Sequence, residues 1–172
     1  FGTVTKSAVA TGAELVAYSG FSASNYLQQP YNSDLDFGNG DFSVAYWFNQ
    51  TTHSNFQDAV NRVDAGQNNG SWLIQHINDG SIQLYMRTSG SYTTYLNSGS
   101  ILLTDRGWTQ IVVVRRNGYY VMYLDGEQIA TGAGTTSLTV NNAQLQISGR
   151  LATSTYPILA GNSIALLRVS ST

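Results

Sequence analysis

The chain of 172 residues carries 8 basic and 10 acidic side chains, a formal net charge of −2, and no cysteine. Its length suits one domain with a core of its own, and the lack of cysteine excludes disulfide frameworks, thiolate zinc sites and cysteine nucleophiles. With 10% charged residues and Lys6 as the sole lysine there is no basic stripe for nucleic acid, and no run of ~18 apolar residues marks a membrane span.

Turn signals recur at short intervals: Gly38-Asn39-Gly40-Asp41, Asn68-Asn69-Gly70, Asn78-Asp79-Gly80, Asn117-Gly118, Asp125-Gly126 and Asn141-Asn142. Between them lie runs of about five to nine residues rich in Val, Ile, Tyr and Trp, so the fold class is all-β. Residues 42–48 read as a strand with Phe42, Val44, Tyr46 and Phe48 on one face and Trp47 on the other. Residues 55–62 are the one stretch that reads as a helical turn. Residues 71–77 and 81–87 form a hairpin around Asn78-Asp79-Gly80, with Ile82, Leu84 and Met86 pointing one way and Gln83, Tyr85 and Arg87 the other.

Residues 108–131 read as a three-strand meander. Asn117-Gly118 and Asp125-Gly126 supply the positive φ that two-residue hairpin turns need. The register follows: Arg116 faces Tyr119, Val114 faces Val121 and Val112 faces Tyr123. Across the second turn Leu124 faces Glu127 and Met122 faces Ile129. Tyr119, Val121 and Tyr123 line one face of the central strand, and Tyr120, Met122 and Leu124 the other. Both faces are apolar, so cover is expected on both sides: a second sheet on one, and a loop, a concave cover or a partner on the other. The closing strand, 163–169, is expected to carry Ile164, Leu166 and Arg168 on one side.

The polar residues are distinctive in kind: 36 Ser and Thr, 14 Asn, 11 Gln and 11 Tyr. A surface of hydroxyls, amides and tyrosines suits an extracellular or virion setting and the binding of neutral polar ligands such as sugars. Sugar sites combine aromatic faces with amide, carboxylate and guanidinium groups in a shallow hollow. The strand residues of that kind are Trp47, Tyr85 and Arg87, expected to share one groove; the loop residues are Asn68, Asn69, Tyr92, Tyr95 and Tyr156. His76 falls on a strand with Trp72 and Ile74 and reads as packed or groove-lining, and His53 as solvated. No Gly-x-Ser-x-Gly elbow and no His-Glu-x-x-His pair is present. Asp34, Asp36 and Asp41 lie close in sequence and are the residues for a calcium ion if one is bound, but Gly38, Asn39 and Ala45 fall at the wrong places for an EF-hand loop.

Five stretches, in order, resemble the laminin-G-like, pentraxin-related branch of the concanavalin A-like lectin/glucanase superfamily. They are Asn25-Tyr26-Leu27-Gln28-Gln29-Pro30; the acidic loop from Ser33 to Asp41 leading into Trp47; Gly107-Trp108-Thr109-Gln110-Ile111-Val112-Val113-Val114-Arg115; Tyr123-Leu124-Asp125-Gly126; and Ser163-Ile164-Ala165-Leu166-Leu167-Arg168-Val169. The resemblance implies a jelly-roll sandwich of two antiparallel sheets, as one domain over residues 1–172. Hydrolytic members carry paired acids spaced Glu-x-Asp-x-x-Glu, whereas this chain has only Glu14 and Glu127, so a non-catalytic domain is expected. Many relatives bind calcium at one rim through Asp and Asn from separate loops. The closing strand and the scarcity of lysine are similar to modules of bacteriophage tail and other virion proteins. The chain begins at Phe1 without a leader pattern, which reads as a module of a larger protein. The expected function is adhesion to a host or matrix glycan; the alternative is a virion decoration module packing against other subunits.

Overall fold

The computed structural model describes residues 2–66, 68–139, 142–149 and 156–171. Its seven-stranded sheet runs in the order β1 (Thr5–Ala8), β2 (Val16–Ser19), β13 (Ser163–Ser171), β4 (Phe42–Asn49), β9 (Trp108–Arg116), β10 (Tyr119–Leu124) and β11 (Glu127–Ala133). A six-stranded sheet runs β3 (Leu27–Gln29), β12 (Gln144–Ile147), β5 (Gln57–Val63), β6 (Trp72–His76), β7 (Ile82–Thr88) and β8 (Ser91–Asn97). Every pairing between these strands is antiparallel. The chain crosses between sheets at β2–β3, β3–β4, β4–β5, β8–β9, β11–β12 and β12–β13, and the result is an all-β sandwich of the jelly-roll type.

Alternation along each strand builds the core. Phe42, Val44, Tyr46 and Phe48 of β4 are buried, as are Tyr120, Met122 and Leu124 of β10 and Ile82, Leu84 and Met86 of β7. Each such side chain contributes roughly 1.5–3 kcal/mol on leaving water. Phe37 stacks flat on Phe42, with ring centroids 4.4 Å apart, and both lie 6.4 Å from Trp72 of the facing sheet.

The meander keeps the expected register through its first turn and at Leu124↔Glu127. A bulge then places Met122 opposite Ala130 rather than Ile129. An extra residue on one strand of a pair shifts everything beyond it, and no local signal marks it. The second face of β10 is covered only in part: Val121 and Tyr123 are half-buried and Tyr119 is exposed. A second bulge corrects the closing strand. Between Ala165 and Arg168 the register of β13 shifts, with Leu166 at a φ of 52°. Leu166 and Arg168 therefore point away from the face of Ile164, and Leu167 and Val169 pack on the core instead. The stretch 55–62, expected as a helical turn, instead runs into β5, which is paired on both edges and buried throughout. Ladder pairing on two sides overrides a weak local helical preference. Among the described residues the one helical element is a 3-10 turn at Ser33–Leu35.

Two arginines are buried, one from each sheet, and both hold the loop between β3 and β4. Arg115 shares the core face of β9 with Ile111 and Val113 and is 1% exposed. Its Nε donates to the Gly40 carbonyl at 2.7 Å. Its Nη1 donates to the Thr136 carbonyl at 2.7 Å, and its Nη2 to the carbonyl of Gly38 at 2.7 Å and again to that of Gly40. The guanidinium lies over the rings of Phe42 and Tyr120. On the other sheet Arg62 pairs with Asp36 at 2.5 Å and donates to the carbonyls of Leu35 and Asn32.

His76 lies in the core, 4.2 Å from the ring of Phe48, and its Nε2 shares a 2.9 Å hydrogen bond with the Tyr46 hydroxyl. Burial lowers its pKa from 6.5 to about 3.

Two outcomes follow. Arg115→Met strands several carbonyls and lowers stability by more than about 3 kcal/mol in urea unfolding. The unfolded chain protonates His76 below about 6.5 while the folded chain resists until about 3, so stability falls as pH drops through that window. The slope due to this group reaches about 1.4 kcal/mol per pH unit and is absent in His76→Gln, as measured by unfolding at pH 7, 5 and 4.

Candidate functional site

On the six-stranded sheet, the alternation that sends Trp72, Ile74 and His76 inward turns Leu73 and Gln75 outward. On β7 it turns Gln83, Tyr85 and Arg87 outward. Register aligns them in rows across the strands: Asp58, Gln75 and Gln83; Asn61, Leu73, Tyr85 and Thr94; Arg87 and Tyr92. On this outer face lies a pocket of about 240 Å³ lined by Phe56, Leu73, Gln75, Tyr85, Tyr92 and Tyr156.

Each wall has a structural cause. After β12 the Ser148 N–H donates to the Ala59 carbonyl, and the Tyr156 carbonyl accepts from Asp58 N–H at 2.7 Å. Ser148 and Tyr156 are both tied to β5, and Tyr156 stands beside Phe56 in an edge-to-face contact at 5.4 Å. Gln57, the residue after Phe56, is held by Asn162. That buried amide accepts from the N–H groups of Thr51 and Thr52 and donates to the Thr52 carbonyl and to Gln57 Oε1, at 2.6–3.0 Å. On the floor, Gln75 Nε2 donates to Asp58 Oδ1 at 2.7 Å, which fixes the amide. At the far wall the Arg87 guanidinium lies 5.4 Å from the centre of the Tyr92 ring.

Tyr85, Tyr92 and Tyr156 therefore come together, with Arg87 beside them. The other sequence candidates do not join them. Trp47 sits on the outer face of the seven-stranded sheet, in a separate apolar hollow with Val9, Leu15, Trp108, Ala165 and Leu166. Alternation put Trp47 on the outward side of β4 correctly, but it carries no information on which sheet β4 joins. Tyr95 turns inward, 5.8 Å from Tyr120, and its hydroxyl accepts from Thr136 Oγ1. Asn68 caps Asp64 through its N–H at 2.7 Å, and Asn69 Oδ1 accepts from Gly90 N–H at 3.0 Å; both fix turns. Phe56, Leu73 and Gln75 were missed. In the structure Leu73 and Gln75 pair with Tyr85 and Gln83 across the hairpin whose turn the sequence marks, whereas Phe56 lies in a segment that reads as helical.

Residues 21–166 match the laminin G type family of the concanavalin A-like lectin/glucanases superfamily. The chain belongs to that superfamily. No curated protein matches it in sequence. Similar solved structures include domains LG4-5 of the mouse laminin α1 chain, at 16% identity and a TM-score of 0.61, covering 94% of this chain and 45% of that one. Domain 4 of an extracellular arabinanase from Geobacillus stearothermophilus, in complex with arabinotriose, aligns at 18% identity and a TM-score of 0.70, covering 98% and 75%. The CBM40 of a Ruminococcus gnavus IT-sialidase, bound to α2,3 sialyllactose, aligns at 15% identity and a TM-score of 0.63, covering 95% and 91%. The chain spans less than half of the laminin fragment and 40% of a botulinum neurotoxin binding domain that it also resembles. At these identities the likeness shows the fold.

In this laminin-G-type sandwich the acidic loop is not built as a cation site. Asp36 Oδ1 accepts from Arg62, and its Oδ2 accepts from the Tyr31 hydroxyl at 2.7 Å. Asp41 Oδ1 accepts from Asn117 N–H at 3.1 Å, on the turn between β9 and β10. Asp34 lies on the 3-10 turn, where its N–H is capped by Asn32. Among the described residues no group of three His, Cys, Asp or Glu side chains converges to hold a metal. Asp34, Asp36 and Asp41 are thus not drawn together into one cluster among the described residues. Asp36→Asn accordingly leaves a buried guanidinium unpaired and lowers stability by about 3 kcal/mol, equally in calcium and in chelator. A loss confined to calcium-containing buffer, in matched thermal melts, would restore the metal reading.

Proposed function

We propose that this chain is one non-catalytic, lectin-like domain of an extracellular protein and that it binds glycan in the pocket of Phe56, Tyr85, Tyr92 and Tyr156. The observation that carries this reading is the union, in one hollow, of four aromatic rings with an amide locked in place by a buried carboxylate. Aromatic faces take the apolar side of a sugar ring, and the amide takes a hydroxyl. Superfamily relatives of the same fold are known with arabinotriose and with α2,3 sialyllactose bound.

Hydrolysis is the weaker reading. A glycosidase needs two carboxyl groups across the scissile bond. Glu14 and Glu127 are exposed on or beside the other sheet, and Asp58, beneath the pocket, is engaged by Gln75. The surface rich in hydroxyls and amides and poor in lysine supports display on a virion, such as a phage tail, or on another extracellular assembly. There weak sites on many copies add through avidity toward a host or matrix glycan. The hollow around Trp47 and Leu166 favours a second role, packing against other subunits of that assembly.

A glycan array, run in calcium and in chelator, tests the reading. Tyr85→Ala and Tyr156→Ala are expected to weaken binding at least about tenfold, the loss of one aromatic contact with its buried area. Trp47→Ala is expected to leave it unchanged. Array signal that survives both tyrosine variants, with their melting temperatures intact, would move the ligand away from this pocket.

A further inference from the structure

The two flanks of the sandwich close differently. On one, β8 and β11 meet so tightly that a Cβ added at Gly132 would lie 2.6 Å from the Tyr95 carbonyl oxygen. On the other, β13 loses its neighbour. β2 pairs with β13 only at Ile164 and Ala165. The bulge at Leu166 then interrupts the ladder, and the β1–β2 hairpin swings away over the outer face, where the Val9 carbonyl accepts from Trp108 Nε1 at 3.4 Å. From residue 168 to 171 β13 is paired with β4 along one side, and no described strand pairs with its other side. A hollow of about 510 Å³ lies against that bare edge. Its wall includes Leu167 and Val169, which pack toward the core, and Ser170, which faces out. Side chains from both faces of one strand border a single space only where that space lies beside the backbone. Opposite stands Gln29 of β3, itself an edge strand, and the floor is Leu35 and Leu145. Two further hollows share Leu167 and continue the groove along the flank.

We infer that this flank receives an extended segment of another polypeptide, added as a strand to the free edge of β13. A row of unpaired main-chain N–H and C=O groups is matched by main chain in the same extended form. The apolar floor takes every second side chain of such a segment, so the occupant is apolar at alternate positions. Asp34, exposed on the 3-10 turn, borders the hollow, and its carboxylate favours a basic residue in the segment. A second copy does not fit. Its own β13 edge is recessed between β3 and the 3-10 turn, and two recessed edges do not reach each other. The groove shares no lining residue with the pocket of Phe56 and Tyr156, and the inference does not rest on the glycan reading.

The test titrates the chain with the soluble peptide Lys-Val-Thr-Val-Thr-Val-Lys, with the same peptide ended in glutamates, and with a version methylated on its backbone nitrogens. Amide hydrogen exchange is followed along β13. The expected result is binding of the lysine-ended peptide with at least about tenfold slower exchange within residues 167–171, while β8 and β11 stay unchanged. The methylated peptide has no N–H to give the edge, and it neither binds nor protects. The glutamate-ended peptide binds about threefold or more weakly, and Asp34→Lys, its melting curve intact, reverses that order. Protection elsewhere in the chain, or binding that survives methylation, overturns strand addition. Equal affinity for the two charged peptides in both proteins overturns the basic occupant. Protection of 167–171 that needs only more protein, with a doubling of mass, gives the edge to a second copy and overturns the inference. No binding at millimolar peptide overturns it as well, and the glycan reading stands or falls on its own array.

Discussion

A guanidinium taken out of water without a carboxylate beside it sets the terms for one end of this molecule. Removing such an ion from solvent costs several kcal/mol, and only a full set of acceptors offsets it. Arg115 finds them in the backbone, at Gly38, Gly40 and Thr136. A side chain satisfied by carbonyls fixes the path of the chain that bears them. The loop before β4 is thereby drawn onto β9, which lays Phe37 on Phe42 and closes the core over Trp72. Arg62 holds the same loop from the facing sheet through Asp36. The acidic, glycine-rich stretch from Asp34 to Asp41 thus does meet cations, and the chain supplies them itself.

The opposite end is organised by a neutral group. Asn162 joins the start of β13 to the turn after β4 and to Gln57 at the start of β5. Phe56 directly precedes Gln57 in the chain, and Tyr156 meets its ring edge-to-face. The candidate pocket thus adjoins, through Gln57 next to Phe56, hydrogen bonds that close in neutral amides, with Asp58 and Arg87 as the ionic groups beside it.

Much of this was legible in the sequence because turns and alternation are local. Asn117-Gly118 fixed the meander register before any partner strand was known, and the faces of β4 and β7 follow from period two alone. The failures share one cause, which is dependence on distant chain. Trp47 and Tyr85 both point outward, but from different sheets, and sheet membership is set by pairings more than a hundred residues apart, such as β4 with β13. The bulges at Leu166 and in β11 arise where two strands must accommodate each other's twist. Residues 57–63 carry Asp58, Asn61 and Arg62, polar side chains that are buried in a strand paired on both edges. The pocket follows the same division: Tyr85 and Tyr92 belong to one hairpin, whereas Tyr156 arrives through a contact with Asp58 nearly a hundred residues earlier.

The placement of the three tryptophans has a spectroscopic consequence. Trp72 lies in the core, and Trp47 and Trp108 stand together on the outside of the seven-stranded sheet. The pocket's rings are phenol and benzene only. Indole dominates the emission of such a chain, so a ligand entering among Phe56, Tyr85, Tyr92 and Tyr156 leaves the fluorescence spectrum nearly still. The titration by which many sugar-binding proteins are followed would read this one as inert, while the same signal would respond sharply to any surface that came to rest on Trp47.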